Sequence, residues 1–382
     1  MIDGWPANAG DAALSACTAK LVRDIVPGAA VLHAVEHGDR VREHYPDLNL
    51  VPPHFWLLGV SPNYPWAAGL EREWAAAVVD GADAVISQGG AFLTEAYNPL
   101  DRIRGYQALR ERGVPYAFCA QSVSRFSDPW ACRHLGEAFR DACWITVRDE
   151  PSRGHVIEMS GRDDNVEVTA DLAFGLFPAP PAPRDQRGIA AILSSHFAVD
   201  GEAEGLTREV SIPLLARVVE GIVELAGGEP VTVFSTVQGL ADLQIEDDAE
   251  YAASVIALVS PAAASRIRQI AGYIDAGETL AIISSHRAVL SMRAHPVIFG
   301  LSLGVPSMAL ARSAKVAALF GDHLPDGTLA PPLGDVEAVL GAVERAFSTE
   351  HRGRLLWEAL APLREAAAGN RVVVERLLAA RG

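Results

Sequence analysis

The sequence predicts an α/β chain of two doubly wound, Rossmann-like lobes, and three observations carry that expectation. Apolar runs of strand length alternate with amphipathic stretches of helix length along nearly the whole chain, the pattern of parallel sheets covered by helices. Four prolines in Phe177–Pro183 (FPAPPAP) interrupt the alternation, which then restarts; such a segment is extended and semi-rigid and suits a connection between lobes. A chain of 382 residues with 49% hydrophobic content is also long enough for two separate cores. The expected division is a first lobe over 1–176, a linker over 177–187 and a second lobe over 188–382, with the last helix packing back on the first lobe.

Composition narrows the partners. A formal net charge of −16 argues against nucleic acid or an anionic membrane surface, so any anionic ligand must be held by a local cluster of cations and helix termini. Cys17, Cys119, Cys132 and Cys143 form no C-x-x-C pair and no metal-like spacing. They are expected to be reduced, mostly buried thiols in a cytoplasmic protein. No apolar run reaches the roughly 18 residues of a membrane-spanning helix, and no signal peptide opens the chain. Oligomeric state is not readable.

In chain order, Met1–Gly4 leaves almost no room for a strand before the loop Asn8-Ala9-Gly10-Asp11. Either that strand is very short or the start is assigned late. Ala12–Ile25 is expected to be a helix and Ala29–His33 a strand; Asp11 serves equally well as a plain helix cap. Val51–Pro65 (VPPHFWLLGVSPNYP) has no clean period and is either a loop shaping an acceptor site or packed aromatic filler. Helix Glu71–Val79 and strand Ala84–Ser87 lead to Gln88-Gly89-Gly90, where glycines after a strand let backbone approach a ligand. Helix Leu100–Arg112 and strand Pro115–Cys119 precede the loop Ala120–Phe126 (AQSVSRF). Strand Trp144–Val147 runs into Arg148-Asp149, read as a structural ion pair at a helix start, and strand Val166–Val168 into Thr169–Phe174.

The second lobe is expected to run as strand Gly188–Leu193, helix Arg208–Leu225, strand Val231–Phe234, helix Asp247–Leu258, a helical patch at Ala262–Ile267, strand Gln269–Ile274 and helix Gly277–Ser285. Ser194-Ser195-His196 ends its first strand; His196 faces a cleft or is simply solvated. The stretch Arg287–Leu310 (RAVLSMRAHPVIFGLSLGVPSMAL) then forms a β-α-β unit. Ala288–Leu290 is a strand, Val297–Leu303 an apolar helix stopped by Gly304-Val305-Pro306, and Ser307–Leu310 a strand. Ser291, Arg293 and His295 fall at the strand-to-helix turn, where open α/β sheets hold ligands. A helix start favours an anion, Arg293 brings a planar cationic fork, and histidine exchanges protons near neutral pH. Lys20 and Lys315 are the only lysines; Lys315 stands before a further helix, and Val336–Phe347 and Leu355–Ala380 are read as helices.

The run S-x-R-x-H, then an apolar helix and G-V-P, resembles the signature of the polysaccharide pyruvyl transferase family. N-x-G-D at Asn8, Gly10 and Asp11 matches it, as do V-R-D-x-x-S at Val147–Ser152 and T-x-D-x-A-F at Thr169–Phe174. Gly89 and Gly90 stand where the family usually has three glycines, Gln88 being the departure. AQSVSRF resembles G-Q-S-I-G-P-F through Gln121, Ser122 and Phe126, while Ala120, Ser124 and Arg125 depart. The matches keep their order over nearly the whole chain.

The resemblance implies a glycosyltransferase-B-like fold with an interlobe cleft. It implies transfer of a pyruvyl group from phosphoenolpyruvate to hydroxyls of a sugar or glycan acceptor, with phosphate released and no metal or organic cofactor. His295 would then be the general acid, with Arg293 beside it as catalytic cation. Asn8, Gly10, Asp11, Gly89, Gly90, Gln121, Ser122, Arg125, Ser291 and Lys315 would contact substrate. Two other readings stay open: a nucleotide-sugar glycosyltransferase of the same architecture, against which no Glu in Arg293–Pro306 offers itself to a ribose, and a non-catalytic sugar-binding relative.

Overall fold

Among the described residues, every strand pair in the computed structural model is parallel. The structure describes residues 1–4, 6–35, 38–52, 70–95, 100–177, 179, 185–194, 207–237, 248–310, 313–347 and 353–380. The aromatic stretch Val51–Pro65 (apart from its first two residues), His196, and most of the Pro-rich run lie outside them. The chain divides into two units, one of Met1–Ala7, Asp11–Gly175 and Leu363–Gly382, the other of Asn8–Gly10 and Leu176–Pro362.

The first unit runs β1 (Ile2–Asp3), α1 (Ala9–Ile25), β2 (His33–Ala34), α2 (Gly38–His44), β3 (Leu50–Val51), α3 (Leu70–Asp80), β4 (Val85–Ser87), β5 (Gly90–Leu93) and α4 (Leu100–Glu111). It continues with β6 (Tyr116–Val123), α5 (Pro129–Asp141), β7 (Ile145–Val147), α6 (Glu150–Ser160) and β8 (Val166–Val168). Its sheet has the order β3-β2-β1-β4-β6-β7-β8, with β5 also paired to β6. The first strand therefore exists although only two residues long, because β2 and β4 pair with it on both sides. The helix α5 was not foreseen, yet Asp128 accepts from the Trp130 and Ala131 amides and Pro129 follows it, a start signal legible in the sequence. Around β6, Phe118 packs edge-on against Tyr106 and Phe139, with ring centroids 4.9 and 5.0 Å away.

The second unit runs β9 (Ile189–Ile192), α7 (Arg208–Leu225), β10 (Val231–Ser235), α8 (Asp248–Ile256), α9 (Pro261–Ala264), β11 (Ile267–Tyr273), α10 (Ala276–Ser285), β12 (Ala288–Ser291), α11 (Ala294–Ser302) and β13 (Ser307–Ala309). Helices α12 (Ser313–Phe320), α13 (Val336–Phe347) and α14 (Gly353–Ala359) follow. The sheet order is β11-β10-β9-β12-β13. Alternate residues of a strand face opposite sides. Leu290 and Met308 join the core with α7, α8 and α13, while Val289 and Ser307 meet α11 on the other face. There Gly300 lets the helix come close, since a Cβ on it would stand 2.0 Å from Ser307 Oγ and 3.3 Å from Val289 Cγ2.

The chain ends in α15 (Ala361–Ala368) and α16 (Arg371–Ala379). The single helix expected over Leu355–Ala380 is thus three, broken beside Pro362, which cannot supply an amide, and at Gly369. Asn370, fully buried, fastens α16 to the first sheet. Its Oδ1 accepts from Thr146 Oγ1 (2.6 Å) and Thr169 Oγ1 (2.9 Å), and its Nδ2 donates to the carbonyls of Ala170 and Ala367 (3.0 Å each). Thr146 Oγ1 in turn accepts from the Ala120 amide at 2.8 Å, holding a non-glycine residue at φ 50°.

Two outcomes follow for this unit. Asn370→Ala strands buried hydroxyls and a carbonyl and should cost about 1–3 kcal/mol; a loss below about 0.5 kcal/mol in urea denaturation would leave the apolar face of α16 as the real fastening. His33, 2% exposed, has an Nδ1 without a hydrogen-bond partner among the described residues, and burial, with Arg23 assisting, lowers its pKa to about 4. The folded state thus favours neutral imidazole: its contribution is full above about pH 6.5 and is lost as pH falls towards 4, by up to roughly 3 kcal/mol. The stability of His33→Gln should fall less steeply over that window than that of the parent; identical slopes would remove His33 as the cause.

Candidate functional site

In an open parallel sheet, ligands collect outside the carboxyl ends of strands where the winding order reverses. In the second unit that point lies between β9 and β12. The turn from Ser291 to His295 leaves β12 there, and its local chemistry sets what it can do. Ser291, fully buried, folds the turn on itself: its Oγ donates to Arg293 O (2.7 Å) and accepts from the Arg293 amide (2.9 Å). The Met292 amide is taken by Ile192 O at 2.9 Å, and Pro296 has none. Met292, Arg293 and Pro296 therefore bring no backbone donor to an anion, so this helix start is a poorer cradle than the sequence suggests.

Helix α11 begins at Ala294, three residues before the expected Val297, which places His295 in its first turn and Arg293 at the cap position. The histidine is half-buried, with its ring centroid 6.0 Å from that of Phe299. On its other side is Gly10, whose ideal Cβ would overlap the imidazole. Asn8 and Gly10 belong to the second unit: Asn8 bridges Val237 and the Ala9 amide donates to Thr236 O at 2.9 Å. The Asn8 side chain accepts from the Gly10 amide at 2.8 Å and so shapes its own loop.

Arg293 is the largest surprise in this turn. Its Nε and Nη2 donate to the two carboxylate oxygens of Asp248 at 2.9 and 2.8 Å, and Asp248 is buried at the start of α8. A ligand anion would have to share this fork or displace Asp248, so the arginine ties β12 to α8 before it does anything else. Lys315 lies in the first turn of α12 rather than ahead of the helix; its side chain is outside the described residues.

Of the candidates of the first unit, Asp11, Gly89 and Gln121 lie about its own reversal point, between β1 and β4. Gln88, the departure from three glycines, fills it. Buried, it accepts from Ser15 Oγ and donates to Asp11 O (2.9 Å), while its amide donates to Asp3 Oδ1 (3.0 Å); a Cβ on Gly4 would stand 2.4 Å from its Oε1. Asp11 itself is buried. A Cβ on Gly89 would lie 2.8 Å from Ala120 O and one on Gly90 2.6 Å from Phe92, so both glycines are demanded by neighbouring protein whether or not a ligand comes. Gln121 and Ser122, expected in a loop, are inside β6. Gln121 Nε2 donates to Ser87 Oγ (3.2 Å) and to Gln88 O.

Ser122 accepts from Arg148 Nε at 2.7 Å and donates to Asp149 Oδ2 at 3.0 Å. The expected Arg148–Asp149 pair is corrected here: Arg148 pairs with buried Asp171, while Asp149 caps α6 by accepting from the Ser152 amide at 2.8 Å. Arg125 lies at the surface against exposed Glu158, a poor place for a substrate contact. Burial pushes the Cys17 and Cys119 thiols up to about 12, which removes them as nucleophiles at neutral pH. Among the described residues no group of His, Cys, Asp and Glu is arranged to hold a metal ion, and no helix is long and apolar enough to cross a membrane.

The Arg293–Asp248 pair has a measurable consequence. Arg293→Ala leaves a buried carboxylate uncompensated and should cost about 3–5 kcal/mol, most of it recovered in the Arg293→Ala/Asp248→Asn double variant. Unchanged denaturation midpoints would return Arg293 to the list of ligand-binding cations.

Comparison with known proteins bears on the fold and the family. Solved structures share the architecture at low identity. UDP-GlcNAc 2-epimerase from Neisseria meningitidis bound to UDP-GlcNAc is 14% identical, with a TM-score of 0.56 and coverage of 99% of both chains. A putative UDP-N-acetylglucosamine 2-epimerase from Listeria monocytogenes is 12% identical, with a TM-score of 0.59 and coverage of 97% of this chain and 94% of that one. HepE from Anabaena in complex with UDP-glucose is 12% identical, with a TM-score of 0.59 and 99% coverage of both. These likenesses establish the glycosyltransferase-B type of fold. No curated protein matches the chain. The model of the family described as polysaccharide pyruvyl transferase matches residues 8–313, a span that takes in every motif from Asn8 to His295, and the chain belongs to that family.

Proposed function

We propose that this transferase-family protein moves the pyruvyl group of phosphoenolpyruvate onto two hydroxyls of a sugar or glycan acceptor, giving a cyclic ketal and inorganic phosphate. The observation that carries the reading is His295, a half-buried imidazole in the first turn of α11, at the carboxyl end of β12 where the sheet order reverses, in a chain of this family.

The chemistry asks for one proton donor near neutral pH. An acceptor hydroxyl adds to C2 of the enol phosphate while His295 delivers a proton to the C3 methylene, and the hydroxyl proton passes to a base or water. The tetrahedral adduct then breaks its C2–O bond to phosphate, which leaves with the electron pair. The second hydroxyl traps the oxocarbenium-like carbon and loses its proton, which closes the ketal and can restore the imidazolium. The donor carries a phosphate and a carboxylate, so on a chain of net charge −16 local positive groups must hold it. Lys315, in the first turn of α12, is our candidate for that role, together with the dipole of α11. The route consumes no metal or organic cofactor, and free cysteines suit the cytoplasmic setting we assign to it.

The test is phosphate release from phosphoenolpyruvate across a panel of sugar acceptors. Release that needs both donor and acceptor supports the reading; an inert donor alongside tight binding of a nucleoside diphosphate would make the chain a nucleotide-sugar enzyme instead. In an active preparation His295→Gln should lower kcat by about 10²–10⁴ with the melting temperature and the KM for phosphoenolpyruvate little changed. Near-normal turnover would exclude His295 as the acid.

A further inference from the structure

We infer that Gly10 is a positioning residue for His295: the imidazole stands in the space that any side chain at position 10 would need. The catalytic half of this inference rests on the function proposed above; the packing half does not. A Cβ built on Gly10 would lie 2.2 Å from His295 Nδ1, 2.4 Å from Cγ and 2.8 Å from its Cβ. The last of these atoms is fixed by the backbone of α11, so no rotation of the ring relieves all three contacts.

The segment that carries Gly10 is held as firmly as the histidine. The Ala9 amide donates to Thr236 O at 2.9 Å, Asn8 makes an antiparallel bridge to Val237, and the Asn8 side chain accepts from the Gly10 amide at 2.8 Å. Phe299 stands on the same helix as the ring, 6.0 Å away between centroids. The imidazole therefore lies against a backbone wall that β10 and its following turn keep in place.

Nothing in the backbone itself asks for glycine here. Gly10 lies in the first turn of α1 and is absent from the glycines with left-handed φ. In a helix alanine is favoured over glycine, so by local propensity Gly10→Ala would stabilise. The histidine reverses that sign, which makes the inference open to a four-way comparison.

The experiment compares the parent, Gly10→Ala, His295→Ala and the double variant. Gly10→Ala should lower the melting temperature in the parent but leave it equal or raise it in the His295→Ala background, since pairs in contact are non-additive. In the phosphoenolpyruvate assay it should lower kcat roughly ten- to hundredfold with KM within a few-fold, as a misplaced group does, and cost nothing further once His295 is gone. The His295 ring resonances should also shift in NMR spectra of Gly10→Ala. If Gly10→Ala fails to fold, folding of the double variant supports the inference and failure of both overturns it. Equal losses of melting temperature in the two backgrounds, or none in the parent, also overturn it. Should the parent show no phosphoenolpyruvate turnover, the proposed reaction has failed and the melting-temperature cycle with the ring resonances still decides Gly10.

Discussion

Parallel pairing is the constraint on which the rest of this structure depends. A parallel strand cannot be followed directly by its neighbour, so each return crosses a face of the sheet, and every loop after a strand leaves from the same edge. Both sheets place their first strand in the interior and wind outwards from it in two directions. Next to that strand, consecutive loops depart to opposite faces and open a crevice. The two units spend theirs differently. Between β9 and β12 the edge carries the turn from Ser291 to His295, whereas between β1 and β4 it is filled by the amide of Gln88. The side chain of Gln88 thus makes a buried hydrogen-bonded plug at the point where the strand order reverses.

Several of the motif residues serve to hold other motif residues. Arg148 reaches Ser122 and Asp171, Ser122 reaches Asp149, and Asp149 caps α6. Asn370 ties Thr146 to Thr169, and Thr146 holds the strained Ala120 just before Gln121. Such networks are costly when partly satisfied and rigid when complete. Their effect is to fix the end of β6 and the ends of its neighbours in one geometry. A motif position in this chain therefore marks a need for a certain shape at least as often as contact with substrate.

That explains which parts of the molecule were legible in the sequence. The alternation of strands and helices was, because burial on both faces makes each strand a continuous apolar run. The short β1 was harder to see, since two residues suffice when both neighbours pair with them. Gln121 and Ser122 suggested a loop because consecutive polar residues rarely continue a central strand, and only their buried partners Ser87, Gln88 and Arg148 explain why they can. His295 was legible from its place after an apolar strand, but its contact with Gly10 was not, being made between segments far apart in the chain. The breaks in the C-terminal helices are marked in the sequence by Pro362 and Gly369, but the apolar periodicity that continues across them masks both.

Charge sets the last condition on the site. All but two of the 32 basic residues are arginine, and among the described residues three near the motifs grip carboxylates: Arg102 holds Asp3, Arg148 holds Asp171 and Arg293 holds Asp248. In each pair the acid is almost wholly buried, so the guanidinium cannot leave without exposing a carboxylate to an apolar surrounding. An arginine neutralised in this way shapes a site through its fork and adds little net attraction at a distance. On an acidic protein, then, a small polyanion gains its affinity from what is not already paired by design: helix-start dipoles, which need no counter-charge, and a lysine, whose compact head can turn to a ligand without breaking a planar bidentate contact. Lys315 is the one lysine in the second unit, and on the function proposed above the donor's phosphate is expected beside it on that general ground.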